Sequence, residues 1–212
     1  AVLKNPKDEG ALERLAEIYT NVKPDPAKAA DIHEKLLALK PNDAELLHRL
    51  ASLYRQNAQY EKAIALYRQM MRGATQEQAT TYAFHIAEIL LQTNRKEEAV
   101  AWAKQHLARD GASSRELSML AMFYEQAAMF IDAEATMTKA AELAKQPEEK
   151  ASYLLRAAES ASRRKDYARA ENLIREVLKA FGDNQQVRGR ANSELFRLYE
   201  LQGRTGDLKI GE

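Results

Sequence analysis

The chain contains no cysteine, which excludes disulfide bonds, thiolate metal sites and a cysteine nucleophile. Glycine and proline are also sparse, at 8 and 5 of 212 residues, and they fall mostly between segments of helical periodicity. Alternating β-branched residues are missing, and no apolar run approaches the roughly 18 residues of a membrane span. These absences favour helices throughout the chain and predict no membrane insertion.

Charge of either sign is not in excess. The chain carries 32 basic and 31 acidic residues, for a formal net charge of +1. Because electrostatic binding to nucleic acid or an anionic membrane needs a surplus of clustered cations, we expect neither partner. With 45% apolar residues the chain can bury a sizeable core without a metal. The sequence predicts a soluble protein and leaves the compartment open between cytoplasm and periplasm.

One pattern, Leu-x2-Leu-Ala-x2-Tyr, recurs along the chain and is clearest between Asn42 and Met71. A second pattern, an alanine with another packing residue four positions later, follows each copy, as in Ala63-x3-Tyr67 and Ala99-x3-Ala103. The first pattern places alanines at Ala16, Ala51, Ala87, Ala121 and Ala158, and the second at Ala29, Ala63, Ala99, Ala133 and Ala170. Both sets keep a period of 34 to 37 residues. This spacing predicts repeated pairs of amphipathic helices whose backbones approach closely at the alanines.

The repeats resemble the tetratricopeptide repeat family, a helix–turn–helix unit of about 34 residues. The resemblance implies an all-α fold, a right-handed superhelical solenoid of about five helix pairs plus a C-terminal helix. We interpret residues 1–212 as a single solenoid. Its predicted repeats span residues 9–43, 44–77, 80–113, 114–147 and 151–184, followed by a terminal helix at 185–202 and a tail at 203–212.

The two ends of the sequence suggest that it continues in a longer protein. The chain begins with alanine rather than methionine, and residues 1–6 are typical of a helix end. The terminal helix is either a C-terminal cap or the first half of another repeat. Its apolar face could instead mediate self-association.

Motifs for catalysis are missing. His33 and Glu34 begin a zinc-protease pattern, but the required second histidine is replaced by Leu37, and no glycine-rich phosphate loop or Gly-x-Ser-x-Gly exists. His85 and Glu88 could share a helix face, yet two ligands without a third do not make a metal site. His33 lies at a packing position. We therefore predict no enzyme activity, no catalytic residue, no metal and no cofactor.

The resemblance implies that the first helix of each repeat lines a concave groove that binds a protein or peptide partner. The positions transferred from the family are Glu13, Glu17, His48, Arg55, Phe84, Glu88, Leu91, Met122, Leu155, Arg190 and Arg197. Four of them are apolar and flanked by charges, as an extended peptide or an amphipathic helix requires. The alternative is that these four only pack between adjacent helices.

The family's clamp for a terminal carboxylate requires lysine and asparagine at set positions of one repeat, and no repeat here has both. Glutamates occupy those positions in the first repeat, which predicts a preference for basic segments there. The sequence thus favours a non-catalytic protein–protein interaction scaffold. Two alternatives stay open: a structural arm that positions an enzyme or envelope export machinery, and the ligand-sensing domain of a regulator.

Overall fold

The computed structural model of the protein describes residues 8–204 and contains eleven α-helices and no strand within that range. The helices are α1 (Glu9–Glu17), α2 (Pro26–Leu39), α3 (Ala44–Gln56), α4 (Tyr60–Met71), α5 (Gln76–Gln92), α6 (Lys96–Leu107), α7 (Ser114–Gln126), α8 (Phe130–Leu143), α9 (Pro147–Arg163), α10 (Tyr167–Phe181) and α11 (Gln185–Leu201). The predicted all-α class is confirmed. The predicted helix end at residues 1–6 and most of the tail, residues 205–212, lie outside the described part.

The chain forms two compact units, Ala1–Arg95 and Lys96–Glu212, called here the N-terminal and C-terminal units. In the N-terminal unit, helices α1 to α5 pack in chain order, each against the next. In the C-terminal unit, α6 to α11 do the same, and α9 also contacts α11. Packing between sequence neighbours is what a repeat array requires. The repeat boundaries drawn from the sequence remain predictions.

All ten periodic alanines are buried. Ala16 is 7% exposed and the other nine are at 2% or less. Small side chains let two helix backbones pack closely, so the alanines mark where the helices contact each other. This is the physical basis of the helix pairs.

The same turn follows the first helix of four successive pairs. Its central residue has a positive φ at Ala58, Asn94, Ala128 and Lys165, and Gly203 after α11 matches them. In each case the next amide donates to a carbonyl five residues earlier, as from Gln59 to Tyr54 and from Arg204 to Tyr199, both at 2.8 Å. This is the left-handed helix end that satisfies the last carbonyls. Helix α11 therefore ends as a first helix does.

Two large apolar side chains of this terminal helix remain at the surface. Phe196 is 43% exposed and Leu201 is 57% exposed. Leu195, Leu198 and Tyr199 on the opposite side are buried. The helix thus has one face packed in the C-terminal unit and one partly apolar face outside it, and the predicted self-association stays a prediction.

The first helix pair, α1 and α2, is not joined by this turn. Helix α1 continues into a π-helical segment, Ile18–Val22, and α2 then begins at Pro26 with Asp25 accepting a hydrogen bond from the Lys28 amide. The Thr20 hydroxyl is buried there and has no hydrogen-bond partner among residues 8–204. Single π-helical turns are uncommon and occur frequently at functional sites.

Two first helices begin earlier than the predicted repeats. Helix α5 begins at Gln76, because Thr75 and Gln78 form a capping box in which each side chain bonds the other residue's amide. Helix α9 begins at Pro147, whose fixed φ suits the first helical turn. Both helices therefore have an extra turn before the repeating pattern starts.

Candidate partner-binding surface

A cavity of about 410 Å³ opens between α1, α2 and α3 of the N-terminal unit. Its walls come from the first helices of two repeats and from the second helix between them. The lining residues are Glu13, Ala16, Glu17, Asn21, His33, Leu36, Lys40, Asp43, Glu45, Leu46 and Arg49. The cavity includes Glu13 and Glu17, two of the predicted groove residues.

Acidic groups outnumber basic groups in the cavity wall, by four carboxylates to two cations. Both cations are already engaged: Lys40 contacts Glu9 and lies 3.6 Å from Glu13, and Arg49 donates to Glu45 at 2.8 Å. Glu17 is exposed and has no ion-pair partner among residues 8–204. The cavity therefore presents a surplus of negative charge with one carboxylate unused.

His33 forms part of the cavity wall although it is only 3% exposed. Its Nδ1 lies 2.8 Å from the carbonyl oxygen of Ala29. Because a carbonyl only accepts, Nδ1 must carry the proton, and in the neutral ring Nε2 is then a hydrogen-bond acceptor. Within the described residues Nε2 has no partner. The wall thus contains a ring nitrogen that no residue between 8 and 204 bonds.

A second polar cluster joins α3, α4 and α5 and is called here the α3–α5 network. It consists of His48, Arg55, Tyr67, Tyr82, His85 and Glu88. The exposed His48 shares a 2.8 Å hydrogen bond through Nε2 with the Tyr82 hydroxyl. The Tyr67 ring lies 6.1 Å from the Tyr82 ring and 5.3 Å from the His85 ring. Burial, followed by the nearby His85, lowers the pKa of His48, which favours its neutral form.

Arg55 and Glu88 form the charged end of this network. His85 Nδ1 lies 3.1 Å from Glu88 Oε2 and 3.4 Å from Arg55 Nη1. Since the carboxylate can only accept, Nδ1 donates to Glu88. Arg55 then pairs with Glu88, 3.7 Å away, and donates to the Tyr67 hydroxyl. Both charged side chains keep part of their surface in solvent, at 31% and 22%. The long Arg55–Glu88 pair leaves donors available to another molecule.

In the C-terminal unit, Glu125 of α7 bridges to α9. It accepts from Arg156 Nη2 at 2.9 Å and from the buried Ser160 hydroxyl at 3.1 Å. Met122, one turn earlier on α7, is half-buried. A carboxylate that is 13% exposed and accepts on both oxygens from α9 links the two first helices.

Glu159 makes the next link, from α9 to α11. It accepts from Arg163 at 2.9 Å and lies 3.6 Å from Arg197 Nη2. Nη1 of the same arginine lies 3.7 Å from Glu194. Arg197 is 55% exposed, so these long contacts contribute little to stability. Arg190 is exposed and has no charged partner among the described residues. Two arginines of α11 are thus accessible to solvent.

The eleven predicted groove residues divide by exposure. Exposed are Glu13, Glu17, His48, Arg190 and Arg197; half-buried are Arg55, Glu88, Leu91 and Met122; buried are Phe84 and Leu155. Phe84 is 8% exposed and Leu155 is 4% exposed, so most of their apolar surface is used in helix packing. The structure brings Glu13 together with Glu17, and Arg55 with Glu88. The role of the set in binding stays a prediction.

Several site residues were not predicted. Tyr67 and Tyr82 join the network through contacts between residues that are 15 to 34 positions apart. His85 contacts Glu88 three positions away, but it meets Arg55 and Tyr67 only across 30 and 18 positions. Their sequence signal is weak, because each also fits the apolar face of its helix. His33 was assigned to packing, which its burial supports, but its position in the cavity wall could not be read from the helical pattern.

Other kinds of site are not apparent in the part of the chain that the structure describes. Across residues 8–204, no group of three or more histidine, aspartate or glutamate side chains could hold a metal ion. His85 and Glu88 do meet, but they lack a third ligand. Within the same range no helix is long and apolar enough to cross a membrane.

Comparison with protein families identifies the repeats. Two sequence models described as tetratricopeptide repeat match residues 11–45 and 34–65. No curated protein matches the sequence.

Solved structures with the same fold share few residues with this chain. A tetratricopeptide repeat protein from Parabacteroides merdae ATCC 43184 has a TM-score of 0.56 at 16% identity, covering 92% of this chain and 74% of that one. BtubC (BKLC) from P. vanneervenii has a TM-score of 0.53 at 17% identity, covering 95% and 85%. MamA from Desulfovibrio magneticus RS-1, from residue 41 to its end, has a TM-score of 0.51 at 15% identity, covering 83% and 96%.

At these identities the structures establish the fold and nothing more. Their fold agrees with three features of this chain: the matched repeats, the buried alanines and the recurring turn. Each of these features is typical of stacked helical hairpins. The chain has the all-α fold of stacked helical hairpins seen in these structures, and its residues 11–65 match the tetratricopeptide repeat family.

Proposed function

We propose that this protein is a non-catalytic scaffold that holds a segment of a partner protein against its first helices. Tetratricopeptide repeat proteins are generally non-catalytic and bind protein or peptide partners. Repeat arrays present extended surfaces rather than closed pockets, which suits a peptide. The concave groove and its residues are the specific part of this proposal.

The observation that supports it best is the α3–α5 network. A peptide brings its own backbone donors and acceptors, and it needs side chains that are positioned yet unsaturated. Arg55 meets both conditions, because it lies near Glu88 and His85 but at distances of 3.4 to 3.7 Å. His48 is held by Tyr82 and remains exposed. The network therefore offers a pre-arranged set of polar contacts on two neighbouring first helices.

The proposed groove residues expose less apolar surface than the sequence suggested. Phe84 and Leu155 are buried, so they support the helices from within. Leu91 in the N-terminal unit and Met122 in the C-terminal unit keep some surface. We infer that polar and charged groups determine most of the specificity, with these two side chains adding limited apolar area.

Replacing Arg55 with alanine tests this proposal. Peptides would first be selected from a random display library on the wild-type chain, and their affinities measured by fluorescence polarisation. We expect Arg55→Ala to weaken the selected peptides about tenfold, because a charge-assisted hydrogen bond contributes about 1.5–3 kcal/mol. Arg72→Ala removes the same charge at the end of α4, a second helix, and should change affinity less than twofold.

Equal affinities of the two variants and the wild type would contradict the proposed surface. A loss confined to Arg72→Ala would place binding on the second helices instead. Circular dichroism of both variants checks that each keeps its helix content, which is expected because both side chains reach solvent.

A further inference from the structure

We infer that the cavity between α1, α2 and α3 receives a lysine or arginine side chain of the partner segment. The inference rests on the proposed function, since it names the chemistry of one part of the same surface. It depends on charge, on an unused acceptor and on size, each taken in turn below.

The charge of the cavity favours a cation. Lys40 and Arg49 are paired with Glu9, Glu13 and Glu45, so they do not neutralise Glu17. Asp43 adds a further carboxylate to the cavity wall, and its side chain accepts from the Glu45 and Leu46 amides at the start of α3. A carboxylate ligand would meet repulsion here, whereas an ammonium or guanidinium group would gain a partner in Glu17.

The buried imidazole gives the second and independent indication. His33 Nδ1 lies at hydrogen-bond distance from the Ala29 carbonyl oxygen, and Nε2 has no partner among the described residues. In the neutral ring with the proton on Nδ1, Nε2 is a hydrogen-bond acceptor. A donor from a ligand that enters the cavity could bond this nitrogen. Lysine and arginine side chains have only donors. A cationic side chain therefore complements both Glu17 and His33, and the Asn21 amide beside them can accept a further bond.

The size of the cavity fits a side chain rather than a folded surface. At about 410 Å³ it lies near the lower end of the 300–1,000 Å³ that is usual for ligand sites. Leu36, Leu46 and Ala16 supply apolar wall against which the methylene groups of a long basic side chain can pack. The charged end then reaches the polar groups.

Binding of a labelled basic peptide tests the inference. The probe is fluorescein-labelled Gly-Ser-Lys-Ser-Gly-Lys-Ser-Gly-Lys, with the same peptide carrying glutamate in place of lysine as its counterpart. We expect the lysine peptide to bind the wild-type chain and the glutamate peptide not to bind. Glu17→Gln and His33→Phe should each weaken the lysine peptide at least fivefold. Glu176→Gln, the same change at an exposed site on α10, should change it less than 1.5-fold.

The two variants separate a specific site from a general charge effect. His33→Phe keeps a ring of similar size and removes the ring nitrogens, so a loss of affinity there reports the contact with the imidazole. Glu17→Gln changes an exposed side chain and keeps the fold even if His33→Phe does not. Equal weakening by Glu17→Gln and Glu176→Gln, or full affinity in His33→Phe, would overturn the inference.

A competition arm distinguishes a partner segment from a free cation. Free L-arginine should displace the lysine peptide only at a concentration at least 100-fold above the peptide's own Kd. Displacement at a comparable concentration would make the cavity a small-molecule site and contradict the inference. If library peptides depend on Arg55 but the lysine peptide fails to bind, the inference alone fails. If the lysine peptide binds through Glu17 and His33 while Arg55→Ala has no effect, the proposed α3–α5 surface fails instead.

Discussion

Phe123→Ala is expected to lower the free energy of unfolding by about 3–5 kcal/mol. Phe123 lies on α7 and is 0% exposed, so truncation removes buried apolar surface and leaves a cavity in a closely packed region. The loss would be measured as a shift of the urea unfolding curve, followed by circular dichroism at 222 nm. Such a loss is a large part of the stability of a typical domain.

Phe196→Ala is the matched control in the same unit. The chemical change is identical, but Phe196 is 43% exposed on α11, so we expect a loss of about 1 kcal/mol or less. Similar losses at both positions would show that α7 does not lie at the centre of the C-terminal unit, contrary to the structure.

Ala133→Leu is expected to destabilise the protein by about 1–3 kcal/mol through overpacking. Ala133 of α8 is 0% exposed, and α7 packs against α8 with Ala121 also buried. The added carbons can be accommodated only if the two helices separate or neighbouring side chains leave their preferred rotamers. The measurement is the midpoint of urea unfolding.

The control for this change lies two residues further along the same helix. Ala135 is exposed, so Ala135→Leu should change the free energy of unfolding by no more than about 0.5 kcal/mol. The opposite result would be no loss of stability in Ala133→Leu and a clear loss in Ala135→Leu. It would mean that the second-helix alanines do not mark the contact between paired helices.

The sequence predicted the helix pairs well because their cause is local and repeats. A small residue is required where two helix backbones come close, as at Ala51 and Ala133. Because the same spacing occurs five times, the requirement can be recognised in the sequence. The turns between paired helices were less visible. Their left-handed residue is usually glycine or asparagine, whereas here it is alanine at Ala58 and Ala128 and lysine at Lys165.

Other features arise from tertiary contacts that no short pattern records. The π-helical segment at Ile18–Val22 has no distinct composition. The positions of Phe84 and Leu155 were transferred from the family, and their burial depends on how neighbouring helices pack around them. Pairs such as His48 with Tyr82 and Arg55 with His85 join residues 30 or 34 positions apart, so only the folded chain brings them together.

The most direct test of the proposed function is to map a bound peptide by NMR. A ¹⁵N-labelled chain would be titrated with a peptide selected from the library, and the amide shift changes recorded for each helix. We predict that the largest changes fall on α1, α3 and α5, the first helices of the N-terminal unit, including residues near Glu17 and Arg55. Largest changes on α2 and α4, with the first helices unaffected, would contradict the proposal that partners bind along the first helices.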